Sequence, residues 1–559
     1  MKNIWENPEI QCLNRLPMRS PLFPYPDAES ARAEMLAGPE NSAFTKSPFV
    51  KSLDGKWKFT LIKNPEADLN AELAGWTTQN FSDSSWSEIQ VPGTWTLQGF
   101  DKPHYTNVQM PFDIQVPNVC EQNPTGLYRL NVFIPAEWKN RRIVLHVGSA
   151  ESCIEVFVNG KNAGVSKDTR LPCEFEISPY IEWTGSSASA VIAFKVIRYS
   201  DASFVEDQDQ WWFGGIHRSV YLYSTENTFI ADVQAVSTVK DISSDGKTGA
   251  GLVPLEVTLG YSDFLQEVTR SENAQLDELE RTVTFSIQKL EGNPNNLKIT
   301  ETVAAGKKKF TLNLRQNLFQ FRENLEIPEV SLWSTENPAL YGLTVSIFEG
   351  KRHIESTAFT IGFKSTEVKN RELLFNSKMI YIHGVNRHEH NPYHGKTLSV
   401  QEMVKDIRLM KSYNFNAVRT CHYPDDERWY DLCDRYGLYV LDEANIENHA
   451  YYDVLARSDE WTYAYMARVQ RMFRRDKNHA CIFGWSLGNE SGDGQNQVAC
   501  AAWLRRMDST RIIHYEGFVR PEWKQLDFTL DSLARGKGLT DIVAPMYPSI
   551  ELITEYAQK

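Results

Sequence analysis

The spacing of hydrophobic residues divides the chain into two long stretches with different periods. From Ser52 to about Gly362, apolar and polar residues alternate over short runs separated by turns, which is typical of antiparallel strands. After about Lys364, apolar runs alternate with stretches of helical period, which indicates a parallel sheet with crossover helices. The pattern therefore predicts a multidomain protein with β domains followed by an α/β domain.

Changes in composition and in the hydrophobic pattern divide the chain further into four segments. Residues 1–48, rich in proline and polar residues, are predicted to be an extended N-terminal arm. Residues 49–225 carry short alternating strands and favour a jelly-roll β-sandwich. Residues 226–363 form a second all-β block, of a size that fits an immunoglobulin-like sandwich. Residues 364–559 are interpreted as the N-terminal part of a (β/α)8 TIM barrel.

The last segment contains about six predicted strands, whereas a closed barrel of this type has eight. They are predicted at residues 379–386, 415–420, 438–443, 481–491, 512–516 and 541–546. Ser399 and Glu402 form a capping box that begins the first crossover helix. Its predicted buried face consists of Val400, Met403, Val404, Ile407 and Met410. A longer helix is predicted from about Trp461 to Arg475.

Composition and charge narrow the class of partner. The formal net charge of −13 argues against nucleic acid and against an anionic membrane. Aromatic residues make up 12% of the chain, which fits either large β-rich cores or surfaces on which sugar rings stack. The eight cysteines are scattered without a CxxC pair, and neither a long apolar run nor a signal-peptide pattern is seen. We therefore expect a cytoplasmic protein without a membrane span.

Polar side chains cluster at the C-terminal ends of the predicted strands or directly after them. They are Asn386, Arg387, His388, Glu389 and His390 after the first strand, His422 and Tyr423 after the second, Asn445, Glu447 and His449 after the third, Asn489 and Glu490 after the fourth, and Tyr547 after the sixth. In a parallel barrel these strand ends converge on one face, so we predict a shared active site there. Glu490, at the tip of a buried aromatic strand, is the first catalytic candidate. The alternative is that Glu490 only caps the next helix.

Part of this cluster has the spacing of a metal site. Glu447 and His449 are two residues apart, so in an extended chain they point the same way. With Glu490 they form a set of carboxylates and an imidazole that is compatible with Mg²⁺ or Mn²⁺. Alternatively, His449 only hydrogen-bonds a carboxylate. Zinc at His388, His390 and His394 is not favoured, because that segment contains a proline and does not match the HExxH helix.

An ordered set of short motifs runs along nearly the whole chain. They are Trp5-Glu6-Asn7-Pro8, Tyr105-Thr106-Asn107-Val108, Glu121-Gln122-Asn123-Pro124-Thr125-Gly126, Ser200-Asp201, Glu206-Asp207-Gln208-Asp209-Gln210-Trp211, Gly384-Val385-Asn386-Arg387-His388-Glu389-His390, Asp442-Glu443-Ala444-Asn445-Ile446-Glu447, Gly488-Asn489-Glu490-Ser491 and Pro545-Met546-Tyr547. With these motifs the chain resembles a glycoside hydrolase family 2 β-galactosidase of the long bacterial type.

The resemblance implies hydrolysis of terminal non-reducing β-D-galactose residues, as in lactose, with retention of configuration. It implies that Glu490 is the acid/base residue and that Mg²⁺ binds to Glu447, His449 and Glu490. Asp201 would also be a ligand of Na⁺. The implied substrate-binding residues are Asn107, Asp201, His388, His422, Asn489 and Tyr547. By the same resemblance, the full-length form is expected to be a homo-oligomer.

One catalytic group of the family has no match in residues 1–559. The family's nucleophile is a second Glu at the tip of strand seven, and the recognisable barrel pattern stops after strand six. Glu555 lies in a similar Glu-Tyr-Ala context but only eight residues after Tyr547, too few for a crossover helix and a strand. Glu516 is a weaker alternative. The chain is therefore interpreted as truncated within the catalytic barrel and is predicted to be inactive alone.

Two other functions stay open on the sequence. A β-glucuronidase or a β-mannosidase of the same family would have a similar architecture. A non-catalytic carbohydrate-binding protein would use the β domains alone.

Overall fold

The computed structural model describes residues 3–41, 45–69, 71–113, 115–262, 278–313, 318–520 and 528–559. The first globular unit consists of two packed antiparallel sheets, as in a jelly roll. The larger sheet has the strand order Cys12–Leu13, Lys161–Ser166, Cys153–Val158, Ser187–Ile197, Thr125–Ile134, Gly55–Ile62 and Ser87–Val91, with Trp183–Thr184 beside Ser187–Ile197. The smaller sheet has the order Cys173–Glu176, Arg142–Val147, Val220–Thr225 and Val50–Ser52. The apolar positions of these strands face one core, in which Trp57 stacks on Phe194 with 5.0 Å between ring centroids.

The second unit is an immunoglobulin-like sandwich of two four-stranded sheets. One sheet contains Thr228–Ala235, Thr248–Tyr261, Thr238–Lys240 and Leu318–Ser331. The other has the order Asn296–Asn313, Glu278–Asn293, Tyr341–Glu349 and Arg352–Ile361. A separate cluster of buried aliphatic and aromatic side chains fills the space between them.

The N-terminal arm is not extended throughout, which corrects that prediction. Residues Ala28–Asn41 are helical, with an interruption at Gly38. Asp27 begins the helix because its side chain accepts a hydrogen bond from the backbone N–H of Ser30 at 2.7 Å. Arg435 of the barrel donates to the carbonyl of Met35 at 2.6 Å. The helix is therefore fixed by a tertiary contact, which short-range composition does not reveal.

The third unit contains five parallel strands whose order in the sheet follows their order in the chain. These barrel strands, first to fifth, are Gly384–Arg387, Ala417–Thr420, Tyr439–Glu443, Ile482–Ser486 and Ile512–His514. The arrangement confirms the predicted fold class of jelly roll, immunoglobulin-like sandwich and part of a TIM barrel. A small hairpin sheet of Thr366–Lys369, Glu372–Phe375 and Lys378–Met379 precedes it, so the first strand begins five residues later than predicted.

The sixth strand, predicted at residues 541–546, is not formed. The backbone N–H of Asp541 donates to the carbonyl of Ile513 at 2.9 Å, and the Asp541 carboxylate accepts from the N–H of Ile513 at 2.7 Å. The side chain of Asp541 therefore accepts the hydrogen bond that a backbone carbonyl would accept in a β-sheet. The segment therefore meets the fifth strand at one residue only.

The helices predicted between the strands are confirmed closely. Helix Val400–Ser412 has the Ser399–Glu402 capping box and the predicted set of five buried residues. Helix Thr462–Asp476 lies within one residue of its prediction. The other α-helices are Glu427–Tyr436, Asp453–Ala456, Gln495–Met507, Leu530–Leu533 and Ile550–Gln558.

Short 3-10 turns complete the secondary structure. They are Ile4–Glu6, Pro65–Leu69, Ala71–Leu73, Trp95–Leu97, Ala136–Trp138, Ser178–Tyr180, Asp201–Phe204 and Asp459–Trp461. Two small two-stranded pairings join Gly93–Thr94 to Gly215–Ile216 and Glu206–Asp207 to Glu447–Asn448. Among the described residues, no helix has the length and apolar character needed to cross a membrane.

Candidate active site

The loop after the third barrel strand is held by the jelly-roll domain. Glu447–Asn448 pairs in parallel with Glu206–Asp207, and the N–H of Glu447 donates to the carbonyl of Val205 at 2.7 Å. On the other side, the N–H of Asn489 donates to the carbonyl of Ile446 at 2.9 Å. The loop is thereby fixed between the first domain and the tip of the fourth barrel strand.

This loop brings together the three residues predicted to bind magnesium. One ligand atom each of Glu447, His449 and Glu490 lies within 4.8 Å of the other two, and all three residues are buried. Nε2 of His449 is 3.3 Å from Oε2 of Glu490, and Nδ1 of His449 is 3.5 Å from Oε1 of Glu447. Burial and the carboxylates of Glu490 and Asp207 raise the pKa of Glu447 well above its usual value.

The donor set of this cluster suits a divalent cation. Neither carboxylate oxygen of Glu447 accepts a hydrogen bond of normal geometry from the described residues, although both are buried. A buried carboxylate without donors is costly unless a cation or a proton neutralises it. Two carboxylates and one imidazole fit Mg²⁺ or Mn²⁺ completed by water.

Glu490 lies at the strand tip predicted from the sequence. Its backbone has a positive φ of 29°, directly after Gly488, Asn489 and the fourth barrel strand. Nη1 of Arg520 donates to Oε1 of Glu490 at 3.1 Å, and Nδ2 of Asn489 is 3.4 Å from Oε2. Arg419 in turn donates to Oδ1 of Asn489 at 3.0 Å, which fixes the orientation of that amide.

A buried ion pair lies beneath these residues. Arg419 donates to both carboxylate oxygens of Glu443, at 2.6 and 2.9 Å, and Nδ1 of His422 donates to the same carboxylate at 2.6 Å. Burial alone would raise the pKa of Glu443, but the attraction of Arg419 and the His422 hydrogen bond hold it at about 2. Ser486 adds a further hydrogen bond at 2.6 Å. Glu443 is therefore an ionised anchor for the second and fourth strand tips.

The two predicted substrate-binding imidazoles are neighbours. The ring centroids of His388 and His422 are 5.6 Å apart, with the planes at 89°. Burial and the charge that His422 can carry lower the pKa of His388 to about 3. Burial and Arg419 also lower the pKa of His422. Both rings are therefore neutral at neutral pH and can both donate and accept hydrogen bonds.

The other predicted substrate-binding residues are not joined to this cluster by hydrogen bonds among the described residues. Asp201 is fully buried and forms an ion pair with Lys167, and burial raises its pKa to about 6 despite that partner. Asn107 is exposed in a loop, and Tyr547 is 83% exposed. Their roles in substrate binding stay predictions.

Neither alternative nucleophile within the chain is suited to that role. Glu555 is exposed on helix Ile550–Gln558, where it pairs with Lys559 at 2.9 Å. Glu516 is buried after the fifth barrel strand, and burial with the charge of Glu490 raises its pKa to about 8. Glu516 is therefore protonated at neutral pH, whereas a nucleophile must be ionised.

Sequence reasoning missed several residues of this site. Arg419 and Glu443 lie inside otherwise apolar strands, and such charged residues are buried only when paired. A charged residue in an apolar strand therefore indicates a buried ion pair, but the sequence does not show that Arg419 pairs with Glu443. Arg520 is four residues beyond Glu516 in a loop, and its approach to Glu490 carries no local pattern. Nε2 of Gln208, in the first domain, donates to Oδ1 of Asn445 at 3.0 Å, a contact that the Glu206–Trp211 motif does not indicate by its spacing.

Three models of one family match successive parts of the chain. Residues 50–226 match the sugar binding domain of glycosyl hydrolases family 2, and residues 265–364 match a further model of the family. Residues 366–557 match its TIM barrel domain. The chain belongs to glycosyl hydrolase family 2.

Curated relatives in this family carry the name β-galactosidase. The Photobacterium profundum β-galactosidase is 37% identical over 99% of this chain and 48% of its own length. A Vibrio vulnificus β-galactosidase is 38% identical over 98% of this chain and, again, 48% of its own length. The family 2 chain described here thus spans about half the length of the curated relatives it matches.

Solved structures share the fold at lower identity. The β-glucuronidase from Bacteroides uniformis superimposes with a TM-score of 0.64 and 20% identity, over 84% of this chain and 52% of its own. The Bifidobacterium dentium β-glucuronidase gives a TM-score of 0.63 and 22% identity, over 83% of this chain and 74% of its own. At this identity the likeness concerns the fold alone.

Proposed function

We propose that this family 2 chain provides the sugar-binding and acid/base parts of a retaining β-galactosidase, which hydrolyses terminal non-reducing β-D-galactose residues. The observation that carries the proposal is the convergence of Glu447, His449, Asn489 and Glu490 at the C-terminal ends of the barrel strands. The names of the 37–38% identical relatives support galactose as the sugar.

In this mechanism Glu490 acts on the glycosidic oxygen. Its carboxyl group donates a proton to the departing oxygen and later takes a proton from the attacking water. Asn489, held by Arg419, and the adjacent imidazoles of His388 and His422 would hydrogen-bond sugar hydroxyls. Arg520 donates to one oxygen of Glu490, and the other oxygen lies 3.3 Å from Nε2 of His449.

Retention also requires an ionised carboxylate about 5 Å from the acid group. The family resemblance assigns it to a seventh strand, and residues 1–559 contain no match to it. Glu516 is neutral at neutral pH, and Glu447 belongs to the cation cluster. The part of the reaction that residues 1–559 can perform is therefore substrate binding and proton transfer.

Glu447, His449 and Glu490 would hold Mg²⁺, with Mn²⁺ as the chemical alternative. The ion would supply positive charge that neutralises the two carboxylates and tunes the acidity and position of Glu490. Asp201 fits Na⁺ less well, since the Lys167 ammonium already neutralises it. No step is assigned to sodium.

Magnesium is expected to raise the melting temperature of the chain. At free Mg²⁺ about 100 times the dissociation constant, linkage stabilises the folded state by about 2.7 kcal/mol. Glu447→Gln removes a ligand and should abolish the shift in differential scanning calorimetry. Glu355→Gln is the matched control, because Glu355 is a buried carboxyl of the immunoglobulin-like domain. A full magnesium shift in Glu447→Gln would contradict the assignment.

Residues 1–559 by themselves are expected to hydrolyse a chromogenic β-galactoside no faster than their Glu490→Gln variant. The reason is that the strand-seven Glu implied by the family resemblance has no match in this sequence, and the described candidates Glu516 and Glu555 do not suit the role of nucleophile. The measurement is release of the chromophore over hours at high protein concentration. Turnover clearly above that of Glu490→Gln would show that another group of this chain acts as nucleophile.

The substrate class is tested by binding rather than by turnover. We expect calorimetry to detect binding of a non-hydrolysable thio-β-D-galactoside to residues 1–559. The corresponding β-glucuronide and β-mannoside are expected to bind at least about tenfold more weakly, a difference of about 1.4 kcal/mol. Preference for either of these sugars would redirect the proposal to a β-glucuronidase or a β-mannosidase.

A further inference from the structure

A second cluster of metal-binding side chains lies beside the proposed catalytic residues. One ring nitrogen each of His388 and His422 and Sγ of Cys421 lie within 4.8 Å of one another. Cys421 is buried, with 2% of its surface exposed, while the two imidazoles are partly buried. The Glu447 cluster offers oxygen and one nitrogen, whereas this cluster offers two nitrogens and a sulfur.

The proposed glycosidase chemistry uses the two imidazoles but leaves the thiol unexplained. Sugar recognition needs good hydrogen-bonding groups, and a thiol is a weak donor and a weak acceptor. Cys421 is a free, buried cysteine whose sulfur lies beside the two rings. Placed beside two imidazoles, the thiol completes a set of nitrogen and sulfur ligands of the kind that zinc favours.

The hydrogen bonds around both imidazoles place the proton of each ring on the same nitrogen. Nδ1 of His422 donates to the ionised Glu443 at 2.6 Å, so the proton is on Nδ1 and the lone pair is on Nε2. Nδ1 of His388 lies 3.3 Å from the hydroxyl of Tyr423, which donates its own proton to Gln210 at 3.4 Å. His388 therefore also carries its proton on Nδ1. Metal-binding histidines are typically fixed in this way by a carboxylate or another acceptor.

We propose that His388, Cys421 and His422 form a second cation site, distinct from the magnesium cluster, which selects a soft divalent ion such as Zn²⁺. Two imidazoles and one thiolate are a familiar zinc donor set, and the fourth position would be taken by water. On binding, the Cys421 thiol loses its proton to solvent and the thiolate bonds to the ion. The remaining single positive charge faces the anionic Glu443, which His422 contacts directly.

This site differs from the zinc site considered on the sequence. The sequence grouped His388 with His390 and His394 and did not favour zinc there. Among the described residues, His388 belongs to one three-ligand cluster, whereas His390 and His394 belong to none. In the structure, the neighbours of His388 in this cluster are instead Cys421 and His422. These two residues lie between the second barrel strand and the second crossover helix.

Occupation of the site has a consequence that rests on the proposed function. His388 and His422 are predicted to hydrogen-bond the sugar, and a bound ion would take the lone pairs of both. Zinc should therefore compete with galactosides, so that micromolar Zn²⁺ weakens thio-β-galactoside binding and a chelator restores it. Magnesium, which prefers oxygen ligands, should not compete in this way.

Cobalt(II) is the probe, because a thiolate bound to it gives a charge-transfer band in the near ultraviolet. Metal-stripped residues 1–559 are titrated with Co²⁺, and we expect this band to appear, to be removed by Zn²⁺ and to persist in excess Mg²⁺. Cys421→Ser should lose the band and bind Co²⁺ at this site at least about tenfold more weakly. Cys500→Ser is the matched control, because Cys500 is equally buried and belongs to neither three-ligand cluster of the described residues.

A second variant covers the case in which Cys421→Ser does not fold. His388→Gln alters a partly exposed residue and should weaken Co²⁺ binding about tenfold or more while the sulfur band survives at higher Co²⁺. The proposal is overturned if unaltered protein shows no band, if Cys421→Ser keeps it, or if Cys500→Ser loses it equally. These spectra need no sugar, so failure of galactoside binding would count against the proposed function and leave the metal site standing.

Discussion

Replacing Arg419 by methionine is expected to destabilise the barrel locally by about 3–5 kcal/mol, because it leaves a buried carboxylate without its partner. Glu443 is fully buried, and Arg419 contributes two hydrogen bonds and the main positive charge that keeps it ionised. Methionine has a similar length but no charge. The remaining Glu443 must take up a proton or draw in water, and either response disturbs Asn489 and His422.

Hydrogen exchange read by mass spectrometry is the appropriate measurement, because a multidomain chain does not unfold in one step. Exchange of the backbone amides in residues 417–443 should become roughly 10²- to 4 × 10³-fold faster, since each 1.4 kcal/mol corresponds to a factor of ten. Arg322→Met removes a pair with Glu256 in which the arginine is 77% exposed, and it should change stability by about 0–1 kcal/mol.

The double variant Arg419→Met with Glu443→Gln separates charge from packing. If the unpaired carboxylate is the cause, removing it recovers much of the loss. An unchanged loss in the double variant, or protection in residues 417–443 that falls less than tenfold in Arg419→Met, would contradict this explanation.

The hydrophobic periodicity and the capping residues correctly predicted those elements that depend on interactions between residues close in sequence. Helix Val400–Ser412 followed from its capping box and its apolar face, because both act within a few residues. The strand predicted at 541–546 failed because a strand also needs a neighbour to pair with. Its apolar sequence meets the fifth barrel strand only at Asp541. The helix Ala28–Asn41 was missed because its partners, such as Arg435, are about 400 residues away.

The candidate site was predictable to the same extent. Functional side chains converge at the strand ends of a barrel, so Glu447, His449 and Glu490 could be assigned to one site from the sequence alone. What the sequence could not supply was the pairing of charges across domains. Lys167 neutralises Asp201, and Arg520 reaches Glu490 from a loop, and neither contact has a characteristic spacing. The scattered cysteines carry no spacing signal, so the sequence does not indicate that the sulfur of Cys421 lies beside two imidazoles.

The acid/base role of Glu490 can be tested in a chimera that joins residues 1–559 to the part of the Photobacterium profundum β-galactosidase that this chain does not cover, about half of that enzyme. In such an enzyme, Glu490→Gln should lower kcat/KM for an alkyl β-galactoside roughly 10²- to 10⁴-fold, the usual contribution of a positioned general acid. The amide oxygen can still accept from Arg520, but the NH2 group cannot accept from Asn489, and the amide has no acidic proton to give.

The leaving group distinguishes proton donation from simple loss of structure. A dinitrophenolate departs without protonation, so bond cleavage in a dinitrophenyl β-galactoside should be much less affected by Glu490→Gln than cleavage in the alkyl substrate. Glu516→Gln is the matched control. Burial and Glu490 already keep Glu516 protonated, so a neutral amide of equal size should change kcat/KM little. Equal losses on both substrates, or an equal loss in Glu516→Gln, would mean that Glu490 supports the site without acting as its acid.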